Sequence, residues 1–167
     1  MSATRQFAHP VRVSFGDCDP AGIVFYPNFL RWFDAATHEM FGAVGLHAAQ
    51  IVRDTGLIAW PLIDTRASFR SPARYGETIE VHSSISEWRT KTLHIEHRIL
   101  RGSTLLVEGW EIRFVGEHPA DDPERLRAVT IPDWMRWWHC KLHCTQEVFI
   151  NLHRFQITLC TKCCLLN

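Results

Sequence analysis

The sequence predicts an α+β domain in which an antiparallel β-sheet wraps around one long central helix. Two patterns carry that reading. Near the N-terminus, Phe29, Trp32, Phe33, Ala36, Met40 and Phe41 recur at three- and four-residue intervals, too many apolar positions for a narrow stripe and so a helix buried over most of its surface. Beyond it the period changes to two. Residues 62–69, 78–88, 92–101 and 105–115 are all β-like, and Ser71-Pro72, Tyr75-Gly76, Arg89-Thr90 and Arg101-Gly102 separate them as turn signals. Strands joined by short turns pair antiparallel, and an apolar helix must be covered, so the simplest assembly closes the sheet over the helix. A chain of 167 residues with 46% hydrophobic composition holds one domain with a real core and is too short for two comfortable ones.

In chain order, residues 11–15 alternate apolar and polar side chains as a half-buried strand does. A loop follows, and Tyr26-Pro27 opens the central helix, because proline suits the first helical position. The helix runs over 28–42, with Arg31, Asp34 and His38 on its more polar side and Gly42 and Gly45 as terminators. Leu46, Ala49, Gln50 and Arg53 are spaced for a second, shorter helix over 46–54, stopped by Gly56. The four β segments come next, and 126–131 is a candidate sixth strand. No internal repeat or low-complexity tract interrupts the sequence.

Composition excludes several functional classes. Formal net charge is zero and no basic cluster stands out, so neither a nucleic-acid nor a membrane partner is expected. Residues 1–7 lack the apolar segment of a secretory signal and no apolar run reaches membrane-spanning length, which makes the cytoplasm the expected compartment. Cysteine usage agrees with that. Cys18 stands alone in the main body and the other five all lie beyond residue 139, so no disulfide framework is expected for the domain.

The loop between the first strand and the helix carries the chemistry: Phe15-Gly16-Asp17-Cys18-Asp19-Pro20-Ala21-Gly22-Ile23-Val24-Phe25-Tyr26-Pro27-Asn28. Two carboxylates two residues apart are followed by Pro20 and Gly22, which break regular structure and let backbone approach a ligand. The start of a helix adds unpaired N–H groups and a positive dipole end, so a carboxylate and an anion-stabilising donor share one site. The same pattern, taken alone, also describes an ordinary Asx turn.

This run, continued through Arg31, Trp32, Asp34, Ala35 and Ala36, resembles the signature of the hot-dog-fold acyl-CoA thioesterases, and within them the branch acting on aromatic acyl groups such as 4-hydroxybenzoyl-CoA. Weaker echoes recur at Ala67-Ser68-Phe69, Glu87-Trp88-Arg89 with Lys91, Glu111-Ile112-Arg113 and Glu124-Arg125-Leu126-Arg127-Ala128, so the likeness covers about residues 7 to 133. The resemblance implies a hot-dog fold, hydrolysis of an aromatic or short acyl-CoA to the free acid and coenzyme A, and a homotetramer with active sites at subunit boundaries. It makes Asp19 the catalytic carboxylate, as nucleophile or as the base that activates water, and the backbone N–H of Tyr26 the group that polarises the thioester carbonyl. Asp34 would recognise the hydroxyl of an aromatic acyl group, and Arg89 and Lys91 would contact the phosphates of coenzyme A. Two positions depart from the aryl branch: Thr90 stands between Arg89 and Lys91 where that branch has a second arginine, and residues 57–62 place Trp60 directly before Pro61, a change that would reshape the acyl pocket.

Each residue also has a plainer reading. Asp17 reads as a turn-maker or loop orienter, which with Gly22 and Pro27 shapes the loop. Cys18 has no neighbouring histidine to make it a nucleophile and reads as a small thiol filling a gap. Asp34 is otherwise a solvated helix carboxylate, Arg89 and Lys91 a solvated hairpin turn, and Trp60 either an aromatic wall for the acyl pocket or a core tryptophan. Thioester hydrolysis by this route calls for no metal or redox cofactor, and coenzyme A enters as part of the substrate. A noncatalytic acyl-CoA binding module on the same fold is the alternative. A dehydratase is disfavoured because no histidine follows the loop to share acid–base work.

The expected domain is residues 1–133. Residues 134–167 differ in composition, with three of the seven tryptophans, five of the six cysteines, and four basic groups to one acidic. His139, Cys140, His143, Cys144, Cys160, Cys163 and Cys164 are zinc-ligand types whose spacing fits no defined finger. The expectation is a disordered or loosely packed extension, or a segment foreign to the domain, dispensable for chemistry.

Overall fold

The computed structural model describes residues 6–136. A first strand β1 (Phe7–Arg12) leads through a single 3-10 turn at Phe15–Asp17 into helix α1 (Pro27–Gly42) and a short helix α2 (Ala48–Thr55). Four long strands follow, β2 (Ile58–Phe69), β3 (Thr78–Trp88), β4 (Thr92–Arg101) and β5 (Thr104–Glu117), then a two-residue strand β6 (Arg127–Ala128). All pair antiparallel in one sheet of order β1-β3-β4-β5-β2, with β6 on β5. The inward face of that sheet and the buried face of α1 form the core.

The sheet order corrects one expectation. β2 and β3 are consecutive but not neighbours: β2 pairs with β5 at the far edge, and β3 lies between β1 and β4. The connection over 70–77 crosses the end of the sheet, where Arg70 and Ser71 donate to the Leu106 carbonyl and Gly76 donates to that of Val13. β2 and β3 are three strand positions apart in the sheet, about 14 Å at a strand spacing of about 4.8 Å, which the segment spans.

Two strands begin earlier than the residue pattern suggested, each for the same reason. Pro10 lies within β1 and Pro61 within β2, and proline, which lacks an N–H, normally interrupts a strand. Both strands are edges of the sheet, and Pro61 falls in the register slip between Ala59 and Leu62, two settings in which proline is tolerated. At the other end of β1, Val13 still exchanges hydrogen bonds with Glu77 and Gly76, but Ser14 and Phe15 turn away into the 3-10 turn, so Phe15 is not a strand residue.

Helix α1 buries Phe29, Trp32, Phe33, Ala36, Met40 and Phe41 as its periodicity demands, together with Asn28 and Thr37. Gly109 is the point of closest approach: a Cβ there would sit 2.1 Å from the Arg66 carbonyl oxygen and 2.7 Å from the Phe33 ring. Around the helix the apolar core has two lobes. One gathers Val24, Phe29, Phe33, Ile79, Val81, Ile99 and Val107 about the helix start, and the other Met40, Phe41, Trp60, Ile85, Ile95, Val115 and Ile131 about its end.

Met135 belongs to the second lobe and is 0% exposed, so the packed domain runs past the expected boundary at residue 133. Arg136 donates to the Arg89 and Thr90 carbonyls and lies over the Trp88 ring. A chain ending at residue 133 is therefore expected to be less stable than one ending at 136, by about 2–5 kcal/mol for the lost methionine packing, read from their denaturation midpoints. Equal midpoints would return the boundary to 133. The candidate zinc ligands from His139 onward lie outside the described residues.

Candidate active site

The signature loop folds back on itself as a miniature hairpin. Asp19 N–H donates to the Ile23 carbonyl at 2.9 Å, Phe25 N–H to the Asp17 carbonyl at 2.8 Å, and Cys18 and Val24 form a bridge between them. Its tip is the turn Asp19-Pro20-Ala21-Gly22, closed by Gly22 N–H on the Asp19 carbonyl, with Gly22 at a φ of +75° that glycine adopts at least cost. The hairpin is fixed on two sides. Val24 N–H donates to the Ala73 carbonyl in the β2–β3 crossover, and Asn28 Nδ2, in the first turn of α1, donates to the Asp17 carbonyl.

Within it the two aspartates do different work. Asp17 accepts from both the backbone N–H (2.8 Å) and the hydroxyl (2.6 Å) of Ser14 in a capping box. Asp19 is half-buried at the tip, and its Oδ1 accepts the Ala21 N–H at 2.8 Å. That bond fixes the carboxylate's direction and leaves it accessible.

At the helix start the backbone donors divide into engaged and unengaged groups. Pro27 has no N–H, while those of Asn28 and Phe29 are taken by the Phe25 and Tyr26 carbonyls. The Tyr26 N–H meets no acceptor among the described residues. It stands at the positive end of the α1 dipole, which favours negative charge nearby. Cys18 is half-buried, its thiol directed to the Ser14 carbonyl at 3.9 Å, as a gap-filling residue would be. Exposed Phe25, Tyr26 and Phe69 form an aromatic ledge beside the loop, with Tyr26 and Phe69 edge-on at 6.4 Å. Residue patterns gave no hint of it, because Phe69 arrives from the end of β2.

The other site residues lie elsewhere. Asp34, 55% exposed on α1, accepts from Arg113 Nη2 at 2.6 Å, with His38 Nε2 3.8 Å away. Trp60 is in the core, 1% exposed and stacked on Phe41 at 3.8 Å, so its ring forms no wall of an open pocket. Arg89 and Lys91 are exposed on the β3–β4 turn, Arg89 paired with Glu87 at 2.9 Å and Lys91 donating to the Ala128 carbonyl at 3.2 Å. Within one chain that turn is remote from Asp19: β3 starts beside the loop, and its 11 residues carry the chain about 30 Å away at about 3.3 Å per residue.

Between the two apolar lobes runs a polar row that the sequence reading left without a role. Ser83 Oγ is 2.8 Å from His97 Nδ1, and His97 Nε2 is 3.2 Å from Glu111 Oε2. Glu111 also accepts from Thr37 at 2.8 Å and from Arg113 through both carboxylate oxygens, each at 2.8 Å. Burial pushes the Glu111 carboxyl up, but hydrogen bonds from His97 and Arg113 outweigh it and hold the group down at about 2. Burial likewise disfavours the Arg113 cation, and Glu111 and Asp34 more than compensate, so its pKa is raised. Ser83, His97 and Glu111 have the connectivity of a Ser–His–acid triad, yet Ser83 is 0% exposed. No substrate reaches that hydroxyl, and the arrangement is structural. Strand phase was the available signal: His97 alternates with Ile95 and Ile99, and Glu111 and Arg113 with Val115, all on the inward face.

A hot-dog sheet around a central helix, with a carboxylate and a free amide at the helix start, defines a class of protein that acts on thioesters. The family model for the thioesterase-like superfamily matches residues 13–139, and the chain belongs to that superfamily. It is 38% identical over 127 residues to the 4-hydroxybenzoyl-CoA thioesterase of Pseudomonas sp. strain CBS-3, covering 72% of this chain and 88% of that protein. The solved structure of the enzyme from that strain superposes with a TM-score of 0.75 at 35% identity, over 80% of this chain and 99% of the other. A 1,4-dihydroxy-2-naphthoyl-CoA hydrolase of Synechococcus sp. strain WH7803 is 29% identical over 76% of this chain and 84% of its own.

Proposed function

We propose that the chain hydrolyses acyl-CoA thioesters and that Asp19 is its catalytic carboxylate. The observation that carries this is the pairing, on one pinned hairpin, of an accessible carboxylate at the tip with the unengaged Tyr26 N–H at the base. The thioester carbonyl oxygen takes the Tyr26 N–H, which stabilises the negative charge that develops as the carbon is attacked. Asp19 either attacks the carbon itself, forming an anhydride that water then cleaves, or removes a proton from water as the water attacks. On both routes the C–S bond breaks, the sulfur leaves as thiolate and takes up a proton, and the products are the free acid and coenzyme A.

For the acyl group we propose an aromatic acid bearing a hydroxyl, such as 4-hydroxybenzoate, with Asp34 as acceptor for that hydroxyl. The two curated relatives compared above are both named for hydroxylated aromatic acyl-CoA substrates. The testing experiment is a hydrolysis panel of 4-hydroxybenzoyl-, benzoyl-, phenylacetyl- and short aliphatic CoA thioesters, following free thiol without added metal. Release from the 4-hydroxybenzoyl substrate is expected, and tight binding of the whole panel without turnover would make the protein a binding module instead. Among the described residues no group of three potential metal ligands comes together.

We further propose a homo-oligomer, a tetramer by resemblance, in which Arg89 and Lys91 of one copy reach the coenzyme A phosphates at another copy's Asp19. The distance along β3 supports this, as do the sheet's two edge strands and exposed Leu62, Ile63 and Phe69 on one of them. Light scattering is expected to give a multiple of the chain mass, and a fully active monomer would contradict it. Among the described residues no helix is long and apolar enough to cross a membrane. A cytoplasmic location is proposed with the substrate, and cell fractionation checks it.

A further inference from the structure

We infer that Arg113 is a positioning residue for acyl-group selection, holding the Asp34 carboxylate in one orientation so that the site prefers acyl groups presenting a hydrogen-bond donor. This rests on the hydrolase reading above and adds the device that would set its specificity. An aspartate on an exposed helix face ordinarily samples several rotamers and pairs weakly with whatever cation is near. Asp34 is held from beneath instead. Arg113 Nη2 reaches its Oδ1 at 2.6 Å from a side chain that is itself buried, while Asp34 Oδ2 has no partner among the described residues. One oxygen is anchored and the other is offered outward.

Arg113 in turn has little freedom. Its Nε and Nη2 bind Glu111 side-on at 2.8 Å each, and Nη1 donates to the Trp60 carbonyl at 2.8 Å. Glu111 is itself fixed by Thr37 on α1 and by His97, which stacks on Phe33 at 4.5 Å and meets Ser83. The polar row therefore runs from the centre of the core to a single exposed carboxylate.

Trp60 gives a second sign of construction around this point. Its φ is +68°, a left-handed conformation costly for a bulky residue. It sits where the β2–β5 register slips between Ala59 and Leu62, and its carbonyl meets the Arg113 guanidinium. A buried cation is retained at a desolvation cost that a well-packed apolar side chain would avoid. Both the cation and the strained backbone converge on the geometry of Asp34. Only the planar fork of arginine can serve Glu111, Trp60 and Asp34 together, so lysine is not an equivalent replacement.

The test is the ratio of kcat/KM for 4-hydroxybenzoyl-CoA to that for benzoyl-CoA, in the full-length wild type, Arg113→Lys, Asp34→Ala and the double variant. The substrates differ by one hydroxyl, so a general loss of stability or of active protein lowers both and leaves the ratio unmoved. The wild type is expected to favour the hydroxylated substrate. Arg113→Lys is expected to lower that preference about tenfold or more, and adding Arg113→Lys to Asp34→Ala should lower it no further. Should Arg113→Lys fail to fold, the neutral pair Glu111→Gln with Arg113→Met, checked by circular dichroism, carries the same expectation. A wild type that hydrolyses both substrates equally, or a ratio unchanged in the folded Arg113 variant, overturns the inference while the hydrolase reading stands. Absence of hydrolysis with every thioester overturns both.

Discussion

Replacing Asp19 by Asn is expected to lower turnover of 4-hydroxybenzoyl-CoA by about 10²-fold or more, with the fold unchanged. The substitution isolates the chemistry because the hairpin does not depend on the charge. Asp19 holds its place through its backbone, by bonds to Ile23 and Gly22, and its one side-chain bond is the acceptance of the Ala21 N–H by Oδ1. An asparagine carbonyl accepts that same hydrogen bond at nearly the same shape. It can neither take a proton from water at neutral pH nor form an anhydride, so both routes fail together. KM is expected to change less than kcat, since the Tyr26 N–H remains to bind the thioester carbonyl. The checks are steady-state hydrolysis and a thermal melt on the same preparation. A rate within a few-fold of wild type, in protein that melts normally, would remove Asp19 from the mechanism.

Much of this architecture was legible in the residues because local and global preferences agree. Phe29, Phe33, Ala36 and Met40 mark α1 at helical spacing and are among its buried residues. The ends of β3 and β4 fall where Arg89-Thr90 and Arg101-Gly102 signal turns. What escaped depends on position in the sheet. Pro10 and Pro61 break strands in general and are tolerated here because β1 and β2 are edges, which no window of sequence reveals. The β2–β3 crossover was hidden because a segment bounded by Ser71-Pro72 and Tyr75-Gly76 has the composition of a hairpin loop.

The candidate site was legible to a similar degree. The loop holding Asp17, Asp19, Gly22 and Pro27 is contiguous, and short-range rules for Asx turns and helix starts describe it. Glu111 and Arg113 are neighbours on β5, but Asp34 is distant from them in sequence and meets Arg113 only because α1 packs against the inward face of the sheet. Trp60 stood on the boundary between two readings, and its burial against Phe41 places it on the core side.

That buried row gives the second large effect. Replacing Glu111 by Ala is expected to destabilise the domain by about 3–5 kcal/mol, because it leaves the Arg113 cation buried without its main counter-ion and orphans Thr37 and His97. Against a typical stability of about 5–15 kcal/mol, that is a large share. Removing both charges with side chains of similar volume, as in Glu111→Leu with Arg113→Met, should cost less than Glu111→Ala alone, since no unpaired charge remains in the core. Urea unfolding at neutral pH separates the three proteins, and a double variant no more stable than Glu111→Ala would contradict the account. The same carboxyl makes stability depend on pH in a defined direction. Its folded value of about 2 lies below the ordinary 4.5, so the unfolded chain binds the proton first and acid favours unfolding. The contribution is fully present above about pH 4.5 and is lost as the pH falls through about 2. The urea midpoint of the wild type should therefore decline across that window, and that of Glu111→Gln, which cannot titrate there, should decline less. Parallel curves for the two proteins would show that acid sensitivity arises from other carboxylates.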